Sequence, residues 1–233
     1  MKIDLIVTYP TSCDYPLWRQ FIHDERKRFN KVIISFTQTN QPPNLQDQIQ
    51  QVMMPDDCIF ITNRQLQGHE DWRNVGVNEA LKYSDGDWVW LTEQDFIIKN
   101  SKFWDWVAKY QENNVVFGVK QEARIHPCCI FIRRSYLDSL NKDFSARPPH
   151  YDHFGAIQKQ IEQGLANDFP VLPDDTYLHL NGLSHNWSLV QRGQEPNYRP
   201  EQFRLWLGQN FKISVPLLPS WKETAREYLE KFT

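Results

Sequence analysis

The first half of the chain alternates between two patterns of apolar residues. Short, nearly continuous apolar runs predict strands that are buried on both faces: IDLIVT (3–8), VIISF (32–36), CIFI (58–61) and WVWLT (88–92). Between these runs, apolar residues recur at helical spacing over residues 15–29, where Asp14 is placed to cap, and from about Val75 to Tyr83. Strands that alternate with helices predict an α/β fold with a mostly parallel sheet.

The alternation becomes less regular after residue 100. Two strands are predicted at VVFGV (115–119) and CCIFIRR (128–134), and three helices at KFWDWVAKY (102–110), FGAIQKQIEQGL (154–165) and SWKETAREYLEKF (220–232). Gly164 is expected to close the second helix, and Ser220 with Glu223 forms a capping box for the third. Because no internal repeat or Gly/Ser linker interrupts the chain, we expect one domain over residues 1–233, with an α/β half (1–120) and a mixed half (121–233).

Composition supports a globular protein and gives little reason to expect a charged partner. Hydrophobic residues make up 40% of the 233 residues, which is enough for a sizeable core. The formal net charge of -3 gives no general electrostatic reason to bind nucleic acid or an anionic membrane. No apolar run approaches the roughly 20 residues that span a bilayer, and the N-terminus lacks the features of a signal peptide. We therefore expect a soluble cytoplasmic protein.

The four cysteines have no metal-type spacing. They are Cys13, Cys58, Cys128 and Cys129. Adjacent cysteines rarely pair with each other, so we interpret all four as reduced thiols of the core.

Two carboxylates, Glu93 and Asp95, directly follow the apolar run WVWLT. In an open parallel sheet, ligands bind outside the carboxyl ends of the strands, so these acids are expected to face a site. Residues i and i+2 of an extended chain project to the same side, which allows both carboxylates to reach one divalent cation or one polyol. On spacing alone, the alternative is that both acids are solvated residues of a turn.

The stretch WRNVGVNEALKYSDGDWVWLTEQDF (72–96) resembles the family 2 glycosyltransferases of the GT-A fold. In that family an R-N-x-G-x-N-x-A-L helix and a G-D strand lead into an acidic motif of the D-x-D type. The matching positions are Arg73, Asn74, Gly76, Asn78, Ala80, Leu81, Gly86 and Asp87. The resemblance implies a single GT-A-type domain that uses Mn²⁺ or Mg²⁺ to move a sugar, with inversion, from a nucleotide-diphosphate sugar to a hydroxyl. The donor is expected to be a UDP- or GDP-sugar bound by residues 1–120, and residues 121–233 form the acceptor side.

The same resemblance implies roles for individual residues on the donor side. The residues implied to bind the donor are Thr8, Tyr9, Arg73, Asn74, Asn78, Glu93 and Gln94. Arg73 is suited to neutralising a diphosphate, and the small or polar residues of its helix allow close approach of the nucleotide. The alternatives are strand-end packing for Thr8 and Tyr9 and a surface ion pair for Arg73.

A metal ligand set and a catalytic base are also implied. Asp95 and His185 are the expected metal ligands; His179, in the strand-like YLHL, is expected in sheet packing or in a hydrogen-bonded, half-buried position. Either histidine could instead carry no ligand. Asp152 occupies the position of the catalytic base, and its alternative role is to cap the helix that begins near Phe154.

The sequence departs from the family pattern in ways that leave alternatives open. Glu93 replaces the usual first aspartate of the acidic motif, and Phe96 stands where a further aspartate often follows. A nucleotidyltransferase is disfavoured because YPTSCDYP (9–16) has neither glycine nor lysine, whereas a non-catalytic nucleotide-sugar-binding module remains a rival. The acceptor is expected to be a glycan or a small molecule, with modified nucleic acid less favoured.

Overall fold

The computed structural model describes residues 1–10, 25–37, 58–63, 70–93, 96–121, 124–147, 154–165 and 168–179. They all lie in one compact unit, Met1–His179. The end of the predicted first helix is a 3₁₀ turn, Arg26–Arg28. The rest of that helix and the predicted C-terminal helix lie outside the described residues, and the functional boundary near residue 120 stays a prediction.

A six-stranded sheet forms the centre of the described part of the chain. The strands of the described residues are β1 (Ile3–Pro10), β2 (Lys31–Thr37), β3 (Ile59–Asn63), β4 (Trp88–Thr92), β5 (Phe96–Ile98), β6 (Val116–Gln121), β7 (Arg124–Arg133) and β8 (Tyr177–His179). The order in the sheet is β3-β2-β1-β4-β7-β6, with β1 to β4 parallel and β7 antiparallel to both of its neighbours. Strands β5 and β8 form a separate antiparallel pair. The predicted mostly parallel α/β architecture is confirmed.

Four α-helices are described: α1 (Trp72–Leu81), α2 (Lys102–Asn113), α3 (Arg134–Ser139) and α4 (Gly155–Leu165). Helix α1 begins three residues before the predicted start near Val75, because the Asp71 side chain caps it by accepting a hydrogen bond from the backbone N of Arg73. Within the described ranges, none of the helices combines the length and the apolar character that a membrane crossing requires.

The prediction that Gly164 closes its helix is wrong, because α4 continues through Gly164 to Leu165. A Cβ atom at position 164 would lie 2.8 Å from the Tyr136 hydroxyl oxygen. Glycine at this position therefore permits close packing of α4 against α3 rather than ending the helix.

The continuous apolar run of β4 is explained by burial on both faces of the sheet, since all five of its residues are buried. On one face, Trp90 stacks on Phe131 with ring centroids 4.8 Å apart, and Phe131 stacks on Phe117 at 4.6 Å. On the other face, Val89 and Leu91 belong to a largely aliphatic cluster that includes residues of α1 and α4. The sheet is thereby fixed from both sides.

A buried carboxylate, Asp4, anchors the amino-terminal end of the parallel strands. Its side chain is fully buried and accepts four hydrogen bonds, from Asn30 Nδ2 (2.8 Å), Ser84 Oγ (2.6 Å) and the backbone N atoms of Asp85 (2.7 Å) and Gly86 (2.6 Å). A Cβ atom on Gly86 would lie 2.9 Å from this carboxylate, so only glycine fits. The glycine of the G-D pair thus holds the start of β4 against β1.

Candidate active site

The carboxyl ends of β1 and β4 lie side by side. The parallel register pairs Val7 with Thr92, so the next residues, Thr8 and Glu93, lie at the same edge of the sheet. Thr8 is buried, and Tyr9 continues the strand opposite Phe36. The ends of β1 and β4 therefore share one edge of the sheet, and contact of Thr8 and Tyr9 with a donor stays a prediction.

Strand β7 brings a second set of polar groups to this edge, because it runs in the opposite direction to β4. The carbonyl oxygen of Cys128 accepts hydrogen bonds from Thr92 Oγ1 (2.7 Å) and from the backbone N of Glu93 (3.3 Å). His126 precedes Cys128 by two residues, and its Nδ1 accepts a hydrogen bond from the backbone N of Cys128 at 3.1 Å. The amino-terminal part of β7 therefore lies beside the acidic motif.

His179, the last residue of β8, reaches the acidic motif from a distant part of the chain. Strand pairing places it opposite Phe96 of β5, and its Nε2 lies 3.2 Å from Oε2 of Glu93. The two side chains are 15% and 18% exposed, respectively, so the contact is partly shielded from water. The half-buried, hydrogen-bonded position expected for His179 is confirmed, and the contact also places His179 at the candidate site.

Arg73 lies at the start of α1, with its Nη1 3.4 Å from Asp71 Oδ2. Asp71 caps the helix and also accepts a hydrogen bond from the backbone N of Ala146 at 2.8 Å. The Arg73 side chain is 22% exposed, so its guanidinium is not sealed inside the protein. The structure thus shows the ion pair that was the alternative role, while binding of a diphosphate stays a prediction.

Asn74 and Asn78 hold the segment that follows α3 against α1. Asn74 Oδ1 accepts from the backbone N of Phe144 (2.9 Å), and Asn78 Nδ2 donates to the carbonyl oxygen of Lys142 (3.0 Å) and to Asn74 Oδ1 (2.9 Å). These bonds pair backbone groups of Lys142 and Phe144, which lie outside the helices and strands and so have no partner from regular secondary structure. Both amides therefore have a structural function, and their proposed contact with the donor is untested.

The chain enters α4 through a strained residue. Phe154 has a φ of 48°, a left-handed conformation that costs a side-chain-bearing residue about 1–3 kcal/mol. Its ring is buried, 6.3 Å from that of Phe144, and this packing compensates for the strain. Asp152 lies two residues earlier, outside the described residues, as do Gln94, Asp95 and His185, so the roles of these four stay predictions.

His126 and Cys128 were not predicted from the sequence as site residues. His126, Cys128 and His179 each offer a ligand atom, and these atoms all lie within 4.8 Å of one another. The available signal was the H-P-C stretch (126–128), which runs into the predicted strand CCIFIRR, since residues two apart in a strand project to the same side. The expectation of reduced, buried thiols is confirmed for the described cysteines, Cys58, Cys128 and Cys129.

No protein-family model and no curated protein sequence matches this chain. Among solved structures, it is similar to the mannosyltransferase PcManGT from Pyrobaculum calidifontis in complex with GDP-Man and Mn²⁺, with a TM-score of 0.54 and 11% identity over 97% of this chain and 68% of that one. It is also similar to glucosyl-3-phosphoglycerate synthase from Mycobacterium tuberculosis in complex with phosphoglyceric acid, with a TM-score of 0.53 and 11% identity over 84% and 81% of the two chains. The complex of that synthase with Mn²⁺, UDP and glucosyl-3-phosphoglycerate gives a TM-score of 0.50 with the same identity and coverage.

These likenesses define the fold. The chain has the GT-A-type fold of the glycosyltransferases, as the sequence resemblance implied. Fold alone does not determine activity, which depends on the residues at the site.

Proposed function

We propose that this protein is a metal-dependent glycosyltransferase that moves a sugar from a nucleotide-diphosphate sugar to a hydroxyl acceptor with inversion. The observation that supports it is the position of the acidic motif: Glu93 follows β4 at the carboxyl edge of the parallel strands, beside the end of β1. In open α/β sheets this edge is where ligands bind.

The chemistry of the available ligands fits a divalent cation. Carboxylates supply the hard oxygen atoms that Mg²⁺ and Mn²⁺ prefer, and an imidazole is acceptable to Mn²⁺. From the sequence resemblance, Asp95 and His185 are the residues that would hold the ion. When bound, the ion would offset the negative charge that develops on the leaving diphosphate. Because two of the similar structures contain Mn²⁺ with GDP-Man or UDP, Mn²⁺ with UDP- or GDP-sugars is the first combination to test.

The proposed donor-side roles come from the sequence resemblance and are supported by the positions of the described residues. Thr8 and Tyr9 lie at the end of β1, where they would contact the base and ribose, and Gln94 lies next to Glu93 in the motif. Arg73 would exchange part of its contact with Asp71 for the diphosphate, which is a stronger, bidentate partner for a guanidinium.

Asp152 is the proposed catalytic base. Inverting transfer requires a group that accepts the proton of the attacking hydroxyl, and a carboxylate that does not ligate the metal retains the basicity to do so. The strained entry at Phe154 follows two residues later and would help to fix the direction of the chain at the acceptor side.

The test is a panel of UDP-, GDP-, dTDP- and CMP-sugars with Mn²⁺, measuring donor binding and nucleotide release with and without hydroxyl acceptors. Asp95→Ala should abolish metal-dependent donor binding and turnover, whereas Asp152→Asn should keep donor affinity and lose transfer. The matched control is Asp138→Asn, a surface acid of α3 paired with Lys142, which should behave as wild type. If the wild-type protein neither binds nor hydrolyses any donor of the panel, the proposal is wrong.

The acceptor is addressed by a second experiment. Once a donor is identified, glycan arrays, small hydroxyl compounds and hydroxylated DNA can be compared as acceptors in the same assay. We expect transfer to glycans or small molecules. Transfer to hydroxylated DNA alone would contradict that expectation and would identify modified nucleic acid as the acceptor.

A further inference from the structure

Three metal-ligating side chains from two strands meet beside Glu93. His126 and Cys128 belong to β7, His179 ends β8, and their ligand atoms all lie within 4.8 Å of one another. We propose that these three residues bind a thiophilic transition-metal cation of the zinc type. This site differs in its ligands from the Mn²⁺ or Mg²⁺ site proposed at Asp95, and it does not depend on the proposed transfer activity.

The geometry requires only a small adjustment. In a tetrahedral zinc site with bonds of 2.0–2.3 Å, the ligand atoms are about 3.3–3.8 Å apart. The present separations are at most 4.8 Å, so the ligand atoms need to approach one another by about 1 Å. Cys128 is fully buried in the sheet, whereas both histidines are partly exposed, so rotation of the two imidazoles can provide this movement.

The ligand types determine which cation fits. A thiolate is a soft ligand and selects zinc or copper(I) over Mg²⁺ and Mn²⁺, which prefer oxygen ligands. Two imidazoles complete a set that suits zinc and that leaves a fourth coordination position open. Coordination removes the proton of the Cys128 thiol, which is released to solvent, so that the sulfur binds as a thiolate.

The contact between His179 and Glu93 is of the kind that orients a metal ligand. Histidine ligands usually donate their second ring N–H to a carboxylate or carbonyl, which fixes the ring and increases its basicity. His179 Nε2 lies 3.2 Å from Glu93 Oε2, a contact of this kind. Glu93 is thus a positioning residue for this site.

Metal binding would replace a hydrogen bond between His126 and Cys128. His126 Nδ1 accepts a hydrogen bond from the backbone N of Cys128 at 3.1 Å, and coordination through either ring nitrogen removes that acceptor. A single neutral hydrogen bond is a small loss against coordination by one thiolate and two imidazoles. The His126 and His179 rings have centroids 4.8 Å apart, so both border the same space.

The direct test uses the metal-free wild-type protein titrated with Co²⁺ and with Zn²⁺. We expect stoichiometric binding of Co²⁺ with a thiolate-to-cobalt charge-transfer absorption band, displacement of Co²⁺ by Zn²⁺, and a rise in melting temperature on Zn²⁺ addition. No thiolate band, or no competition between the two metals, would overturn the proposal. Because this step uses only the wild-type protein, a negative result overturns the proposal even if a variant fails to fold.

Cys128→Ser should remove the band and weaken Zn²⁺ binding at least about 100-fold, since loss of an outer-shell partner alone costs 10- to 100-fold. The matched control is Cys129→Ser, because Cys129 is the next residue of the same strand, is equally buried and contacts Trp90. It should retain the band. A band that survives in Cys128→Ser would rule out this thiolate as a ligand.

The role of Glu93 has a separate readout. Glu93→Ala should weaken Zn²⁺ binding about 10-fold with the band of bound cobalt intact, and Glu93→Gln, which keeps an acceptor oxygen, should restore much of the affinity. Unchanged affinity in Glu93→Ala would refute the positioning role. Asp95→Ala should retain the cobalt band even though it lacks transfer, so the two proposals can fail independently; loss of the band there would contradict the three-residue ligand set.

Discussion

Replacement of Asp4 should destabilise the whole sheet, although this residue lies at the edge opposite the candidate active site. Its buried carboxylate joins β1 to the loop before β4 through the Ser84 hydroxyl and two backbone N–H groups, and also accepts a hydrogen bond from Asn30. Arg134 Nη2 lies 3.9 Å from Oδ2 and supplies the nearby positive charge.

The size of the effect follows from these contacts. A hydrogen bond to a charged group contributes about 1.5–3 kcal/mol, and bonds that share one carboxylate are not additive. Removal of one member of a buried ion pair costs about 3–5 kcal/mol, because the partner groups remain buried without it. We therefore expect Asp4→Ala to lower the free energy of unfolding by about 4 kcal/mol. Asp4→Asn keeps one oxygen for the Ser84, Asp85 and Gly86 donors and should lose about 2 kcal/mol.

Urea denaturation followed by circular dichroism measures both values. The control is Asp138→Asn, whose pair with Lys142 is exposed and should contribute no more than about 0.5 kcal/mol. If Asp4→Ala destabilises the protein by less than about 1 kcal/mol, the network does not anchor the sheet as described.

Three further predictions concern the core, the α1 contacts and pH. Trp90→Ala should lower the free energy of unfolding by about 3–5 kcal/mol and Trp90→Phe by clearly less, as measured by urea denaturation, since Trp90 fills the centre of the aromatic face. Asn78→Ala removes the hydrogen bond to the Lys142 carbonyl and should speed hydrogen exchange of the backbone amides in residues 142–146. Unchanged exchange would contradict the role of Asn78 in holding this segment against α1. A hydrogen bond from Lys31 is the largest cause of the lowered pKa of Asp85. The ionised Asp85 side chain therefore stabilises the folded state at pH values above its unfolded-state pKa of about 4. This stabilisation is lost as the pH falls through the lower pKa of the folded state. The stability difference between wild type and Asp85→Asn should therefore disappear in acid, and a difference that persists at the lowest pH would refute this assignment.

Local pattern alone predicted the six strands of the central sheet and the class of fold, but not β5. Strands buried on both faces must be continuously apolar, and the runs that became β1, β2 and β4 show this directly. The position of Glu93 at the carboxyl edge also followed from the sequence, because a residue that directly follows a parallel strand must lie at the carboxyl end of that strand. The predicted start of α1 was wrong because the Asp71 cap sets where the helix begins. The predicted role of Gly164 was wrong because the close approach of the Tyr136 hydroxyl is what requires glycine there.

The partners of Glu93 were decided only by the tertiary structure. His179 is 86 residues from Glu93 along the chain, and the pairing of β8 with β5 brings the two together. His126 and Cys128 reach the same place because β7 runs antiparallel to β4, a direction that no local spacing encodes. Sequence pattern reports which face of an element is buried, since burial repeats with the period of that element. It does not report which distant elements become neighbours, because that choice is made by the packing of the whole core.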